Sequence, residues 1–221
     1  MTNIARIFGL MRETVYGSDR RGLALMKLEE PESADPFRML VGTILSHRAK
    51  DEMTTRATEN LLSVYRTPEL LASASLRRVA ELVRPCGFPN RKAKKVVVAA
   101  KQLVEEFGGE VPSTMEDLLK LEGVGRKTAS CILVYAFDKP AVPVDSHVHR
   151  VANRVGLVDT KNADETEREL MEKVARERWP HIHDLFVRFG QTICRPVGPK
   201  CRACALRGDC AYYLRQRTPG A

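Results

Sequence analysis

An all-α fold is predicted for this 221-residue chain by two features: apolar residues recur at helical rather than strand spacing nearly throughout, and residues that start and stop helices punctuate that pattern. Taken in order, Ile4, Ile7, Phe8 and Met11 share one helical face near the N-terminus, and Leu61, Leu62 and Tyr65 share another further on. Thr67-Pro68 offers an N-cap followed by proline in the first helical position. Gly108-Gly109 ends the helix before it, and Ser113-x-x-Glu116 and Asn162-x-x-Glu165 have the form of capping boxes. Only short turns separate these segments, at Pro85 to Asn90, Gly108 to Pro112 and Asp138 to Pro143. A run of short helices is expected over residues 26–137. A second domain is expected from residues 1–25 together with 138–221, where the pattern shifts to a longer segment ending in clustered cysteines.

Composition sets the class. Apolar residues make up 43% and charged residues 29%, which is globular rather than disordered usage. Lys and Arg number 36 against 28 Asp and Glu, so the formal net charge of +8 favours polyanionic partners, nucleic acid foremost. There is no apolar run of roughly 18 residues or more to span a bilayer. The opening segment carries acidic residues and lacks a signal-peptide core, so a cytoplasmic, nucleoid-associated location is expected. In that reducing compartment, six cysteines read as thiols or metal ligands rather than disulfides.

Their placement separates them. Cys86 and Cys131 stand alone in apolar surroundings and read as inert core residues. The other four form Cys194-x6-Cys201-x2-Cys204-x5-Cys210, one tight pair with two long arms. A structural zinc site usually brings two tight pairs to one tetrahedral ion, so this set points to a [4Fe-4S] cluster, with zinc as the alternative. The spacing resembles the cluster loop of the endonuclease III family. Beside the ligands, Arg195, Lys200 and Arg202 place positive charge where DNA phosphates would meet it.

A second string, Leu121-Glu122-Gly123-Val124-Gly125-Arg126-Lys127-Thr128-Ala129, joins two helices through a turn holding two glycines. Glycines permit positive φ and close approach of a ligand, and amides at the start of the second helix then face an anion such as a phosphate. The string resembles the helix-hairpin-helix of the same family, with Lys127 at the catalytic lysine position, which the mismatch-repairing branches typically lack. An amine that attacks carbon must first lose its proton, which desolvation or neighbouring positive charge promotes. A third string, Val142-Pro143-Val144-Asp145-Ser146-His147-Val148-His149-Arg150, delivers Asp145 to the start of a helix. Asp is a favoured N-cap, and the resemblance also implies a catalytic role for it across a cleft from Lys127. His147 is expected to be structural or to contact phosphate.

Removing a base from duplex DNA requires turning its nucleotide out of the stack and filling the hole. Gly87-Phe88-Pro89-Asn90-Arg91-Lys92 resembles the family's wedge loop, which gives Phe88 the inserting role and Arg91 and Lys92 the backbone contacts. Ser46-His47-Arg48-Ala49-Lys50-Asp51 resembles the second loop, where bacterial members typically place glutamine in the vacated space. Arg48 stands there instead. Arginine is longer, always charged and able to grip guanine bidentately, and Pro89 replaces a common tyrosine, so the opposite-base preference stays open.

The resemblance spans about residues 37–213 and implies a six-helix barrel carrying the hairpin and an iron-sulfur domain, with DNA across the cleft between them. It implies a monomeric DNA glycosylase and AP lyase acting on oxidised pyrimidines. In that chemistry Lys127 attacks C1′, Asp145 assists departure of the base, and β-elimination from the Schiff base nicks the strand. Two alternatives remain: a monofunctional mismatch glycosylase, which leaves Lys127 unexplained, and a non-catalytic, redox-responsive DNA-binding protein.

Overall fold

The computed structural model describes residues 4–17 and 35–217, and every regular element among them is helical. No helix among the described residues is long and apolar enough to cross a membrane. The first helix is α1 (Ile4–Tyr16), followed by α2 (Pro36–Leu45), α3 (Asp51–Val64), α4 (Pro68–Ala72), α5 (Leu76–Leu82), α6 (Pro89–Phe107), α7 (Met115–Leu118) and α8 (Arg126–Phe137). After these come α9 (Ser146–Val155), α10 (Ala163–Lys173), α11 (Trp179–Thr192) and α12 (Ala211–Arg217), with short 3-10 turns at Arg84–Cys86, Arg176–Arg178, Cys201–Ala203 and Ala205–Gly208. The chain divides into two units: the described residues of Pro31–Lys139, and those of Met1–Glu30 with Pro140–Ala221. The sequence-expected boundary at residues 25 and 26 lies outside the described residues.

In the first of these units, six helices and the single-turn α7 are set by caps that satisfy otherwise orphaned amides. Asp35 accepts from Phe37 N before Pro36, Thr67 from Leu70 N before Pro68, and Ser75 from Arg78 N. One expected cap moves by a residue. Thr114, not Ser113, caps α7, accepting from Asp117 N, while Ser113 instead receives Lys139 Nζ at 2.6 Å on its carbonyl and 2.8 Å on its hydroxyl. Gly108 and Gly109, at φ of 61° and 84°, end α6 in the left-handed region that glycine enters without strain.

Helix α6 packs against α4, α5 and α2, and α2 packs in turn against α3 and α8. The periodicity of α6 explains this: Ala93, Val96, Val97, Ala100 and Leu103 repeat at three and four residues and are all buried. Helix α8 differs, because Thr128 to Val134 are buried without a break. A helix covered on all sides over this stretch is the centre of its unit, and its first turn is the most exposed part of it.

The other unit is built on α11, which packs against α1 and α9. Ile7, Phe8 and Met11 of α1 meet Val148, Val151 and Val155 of α9 and Phe186 and Phe189 of α11 in one buried cluster. The rings of Phe8 and Phe186 lie 5.6 Å apart at 58°, a tilted contact favoured by the aromatic quadrupole. Full burial of each such side chain contributes about 1.5–3 kcal/mol. Asn162 caps α10 as its sequence predicts, accepting from Glu165 N, while Glu165 accepts from Lys161 N.

Candidate functional site

The hairpin lies between α7 and α8. Gly123 takes φ 81°, and a Cβ there would come within 3.2 Å of Lys95 Cδ and 3.5 Å of Ile44 Cγ2, so the turn needs glycine for both conformation and space. Gly125 is the N-cap of α8 and offers no side-chain acceptor to the first-turn amides. A Cβ on Gly125 would meet nothing within 4 Å, so its smallness keeps the surface over those amides open. Lys127 follows, half-buried in the first turn. The next residue, Thr128, is buried with its hydroxyl 3.4 Å from His47 Nε2.

That contact ties the hairpin to the turn after α2. His47 is exposed as a whole residue. Even so, partial burial of its ring, followed by the charges of Lys95, Lys127 and Lys92, lowers its pKa below the usual imidazole value. Beside it a cavity of about 410 Å³ is lined by Ile44, His47 and Arg48 from the end of α2 and the turn after it, and by Phe88, Arg91, Lys92 and Lys95 at the start of α6. Arg48 and Phe88 both sit in the left-handed region, at φ of 54° and 48°, and Phe88 is 58% exposed. Ser46 turns back on its own helix, donating to Thr43 O at 2.8 Å.

Lys92 departs from expectation. It is only 4% exposed, and its ammonium donates to Cys86 O at 2.7 Å. A buried cation satisfied by a carbonyl braces the Phe88 loop from beneath, whereas a phosphate contact needs a side chain at the surface. Arg91 remains exposed.

In the other unit, Asp145 caps α9 as the sequence suggests: its Oδ1 accepts from His147 N and Val148 N, both at 2.8 Å. Both bonds fall on one oxygen, so these amides leave Oδ2 to other partners. Arg150 then reaches from α9 to Cys194 O at 3.1 Å and Gly190 O at 3.0 Å, and its Nη2 lies 3.0 Å from His147 Nδ1. Gly190 is what lets these groups meet, since a Cβ there would stand 2.9 Å from both Arg150 Nη2 and His147 Nδ1. Arg154 spans the next stretch, donating to Arg195 O at 2.7 Å and Pro196 O at 3.0 Å, 3.8 Å from Cys194 Sγ, with its guanidinium over the Tyr212 ring. Sequence reasoning passed over Arg150, Arg154 and Gly190 as site residues. The signal for the arginines was there, because His147, Arg150 and Arg154 are spaced three and four apart on one face of α9.

The four clustered cysteines are free thiols, half-buried, with Cys194, Cys204 and Cys210 packed against the core of their unit. Burial raises the Cys204 pKa to about 11, opposed by a backbone hydrogen bond from Leu206 and reinforced by the charges that Cys210, Cys194 and Cys201 would carry. Burial likewise raises that of Cys210. Thiols near enough to resist each other's ionisation ionise together only around a positive centre. Among the described residues no three His, Cys, Asp or Glu side chains converge as a group able to hold a metal ion. The donor set itself, four uncrosslinked cysteines, is the one a [4Fe-4S] cluster takes. Lys200 and Arg202 flank it and are exposed.

These features recur in known proteins. Residues 41–176 match the family described as HhH-GPD superfamily base excision DNA repair protein. The chain is 44% identical to Endonuclease III of Thermotoga maritima over 84% of its own length and 87% of that protein's. It is 36% identical to Endonuclease III of Bacillus subtilis over 80% and 81%. The fold is similar, with a TM-score of 0.82 and 29% identity, to a solved complex described as a trapped endonuclease III-DNA covalent intermediate with an estranged adenine, covering 99% of this chain and 100% of that one. With a family match over more than half its length and a relative 44% identical over 84% of it, this chain belongs to the endonuclease III family within the HhH-GPD superfamily of base excision DNA repair proteins.

Proposed function

We propose that Lys127 is the nucleophile and Asp145 the assisting carboxylate with which this chain, a DNA glycosylase and AP lyase by its family, removes oxidised pyrimidines from duplex DNA. The observation that carries this reading is the hairpin: Lys127 is half-buried in the first turn of the central helix α8, two residues after a glycine cap that offers the first-turn amides no side-chain acceptor and so suits a phosphate there. The structural neighbour described as a trapped covalent intermediate supports a covalent route.

In that route the neutral amine of Lys127 attacks C1′ and the glycosidic bond breaks, its electron pair leaving with the base. Asp145 offsets the positive charge that develops on the sugar and takes up the amine proton. The C1′–O4′ bond of the resulting aminal then breaks, O4′ taking a proton. The Schiff base so formed acidifies the C2′ hydrogen, whose removal drives the β-elimination that expels the 3′ phosphate and nicks the strand. Gly123 and Gly125 seat one phosphate, and Arg91, Ser46, His147, Lys200 and Arg202 hold others. Phe88 and Arg48 enter the space that the turned-out nucleotide leaves. Cys194, Cys201, Cys204 and Cys210 hold a [4Fe-4S] cluster, which when bound cross-links four points of the chain and supplies a redox-active centre. The enzyme acts as a monomer at the nucleoid.

The test is reduction by borohydride in the presence of duplex DNA carrying thymine glycol or an abasic site. A stable protein-DNA crosslink is expected from the native chain, and none from Lys127→Ala. Native protein that binds both duplexes yet forms no crosslink would instead be a monofunctional glycosylase or a binder, and base release by native protein but not by Asp145→Asn would separate those two. Purified protein without broad visible absorbance, even after anaerobic preparation, would exclude the cluster.

A further inference from the structure

Between Cys194 and Cys201 the chain runs Arg195-Pro196-Val197-Gly198-Pro199-Lys200, and none of these residues is buried. Val197 at the crest is 87% exposed. Apolar packing therefore does not hold this loop, although Lys200 N closes its base on Ile193 O at 2.9 Å. Arg154, near the end of α9, reaches the first part of it. Its Nη1 donates to Arg195 O at 2.7 Å and lies 3.8 Å from Cys194 Sγ, and its Nη2 donates to Pro196 O at 3.0 Å. The guanidinium also lies 4.5 Å from the centre of the Tyr212 ring, and the Arg154 carbonyl accepts from Cys210 Sγ at 3.2 Å. Two residues on, Gly156 lets α12 come close, since a Cβ there would stand 3.0 Å from Ala211 Cβ. One residue of α9 thus touches both the first and the last of the clustered cysteines.

This use of an arginine differs from that of a phosphate contact. Both terminal nitrogens are committed to carbonyls and one face to an aromatic ring, an arrangement that the planar fork of arginine fits and a lysine ammonium does not. On the reading that Cys194, Cys201, Cys204 and Cys210 hold a [4Fe-4S] cluster, two consequences follow. The two carbonyl bonds and the stacked ring keep the first and fourth ligand segments together. An N–H and a positive charge beside a ligand sulfur favour the form of the cluster that carries more electrons. We propose that Arg154 is the positioning residue of the cluster site, which holds the Cys194 loop against the start of α12 and, through its N–H toward Cys194 Sγ, raises the reduction potential.

The test uses intact, anaerobically prepared holoprotein. Iron and acid-labile sulfide per chain, the rate at which an iron chelator bleaches the visible absorbance, and the reduction potential by spectroelectrochemical titration are measured for each variant. Arg154→Gln is expected to bleach about tenfold faster or more, with its potential moved negative. Arg154→Lys keeps the charge without the fork, so it too bleaches faster while its potential stays nearer the native value. The sign is decisive, because a site that is merely loosened admits water, which stabilises the more negative, reduced form and moves the potential positive. A potential in Arg154→Gln that is unmoved or more positive, or bleaching at the native rate, overturns the proposal. So does native cluster behaviour with a salt slope of DNA affinity reduced by about one, the mark of a phosphate contact. If Arg154→Gln does not fold, Tyr212→Leu removes the face on which the guanidinium rests; faster bleaching is expected there, and native bleaching overturns the proposal. Native protein without iron and sulfide would instead overturn the cluster reading on which it stands.

Discussion

Helices α8 and α9 each begin beside a residue to which we give a part in excision, yet their N-termini are built in opposite ways. At α9 the aspartate is itself the cap, and His147 N and Val148 N bind its Oδ1 at 2.8 Å. At α8 the cap is Gly125, which offers the first turn no side-chain acceptor. One terminus is closed by its own carboxylate, which fixes that carboxylate in place. The other has no side-chain cap, and its partial positive charge suits an external anion. A side chain that must hold its orientation is bound into the helix end, and a surface that must receive phosphate is left bare.

The sharpest way to break this comparison is Asp145→Asn. The amide keeps an oxygen for capping but not the charge, so base release is expected to fall about 100-fold or more, while the thermal midpoint barely moves. Asp145→Ala should lose the same activity and about 1 kcal/mol of stability as well. If Asn and Ala destabilise equally, Asp145 is not the cap in solution. Next in size, Gly190→Ala forces Arg150 and His147 apart. It should cost about 1–3 kcal/mol in denaturant unfolding, and an unchanged midpoint would mean that these side chains do not meet over Gly190 in solution.

Within the hairpin the two glycines are expected to part company. Gly123→Ala strains a φ of 81° and crowds Lys95, so it should destabilise by about 1–2 kcal/mol. Gly125→Ala finds open space, so its midpoint should hold while affinity for abasic duplex falls several-fold. The smallest effect concerns His47, whose pKa lies below the ordinary 6.5. The neutral ring is the favoured form in the folded chain, so its contribution to stability is complete above about pH 6.5 and is lost as pH falls through the lowered value. Denaturant midpoints at pH 7.5 and pH 5 should therefore differ slightly less in His47→Gln than in the native chain.

Local features of the sequence were legible. Thr67 and Asn162 cap the helices they introduce, and Asp145 caps α9. The cap of α7 slipped from Ser113 to Thr114 because two adjacent hydroxyls each stood before an acidic residue at a suitable distance, and pattern alone does not choose between them. Lys92 was misread because it stands in the basic stretch Arg91 to Lys95, which looks like a solvated face. Its spacing of four from Val96 puts it on the buried side of α6. The contacts of Arg150 with Gly190 and Cys194 join residues about forty positions apart, and no local period reports such a pairing. The spacing of the cysteines was plain, whereas their packing against the Phe186 cluster became visible only in three dimensions.

Helix α8 carries one further consequence. Its buried stretch from Thr128 to Val134 anchors the unit, while Lys127 belongs to the turn before that stretch. On the role proposed for Lys127, stability and reactivity fall to successive residues of one helix without sharing a side chain. On that role, a single codon change at position 127 would exchange the amine for another group and leave the scaffold standing, so a lineage built on this helix would explore new repair chemistries one substitution at a time.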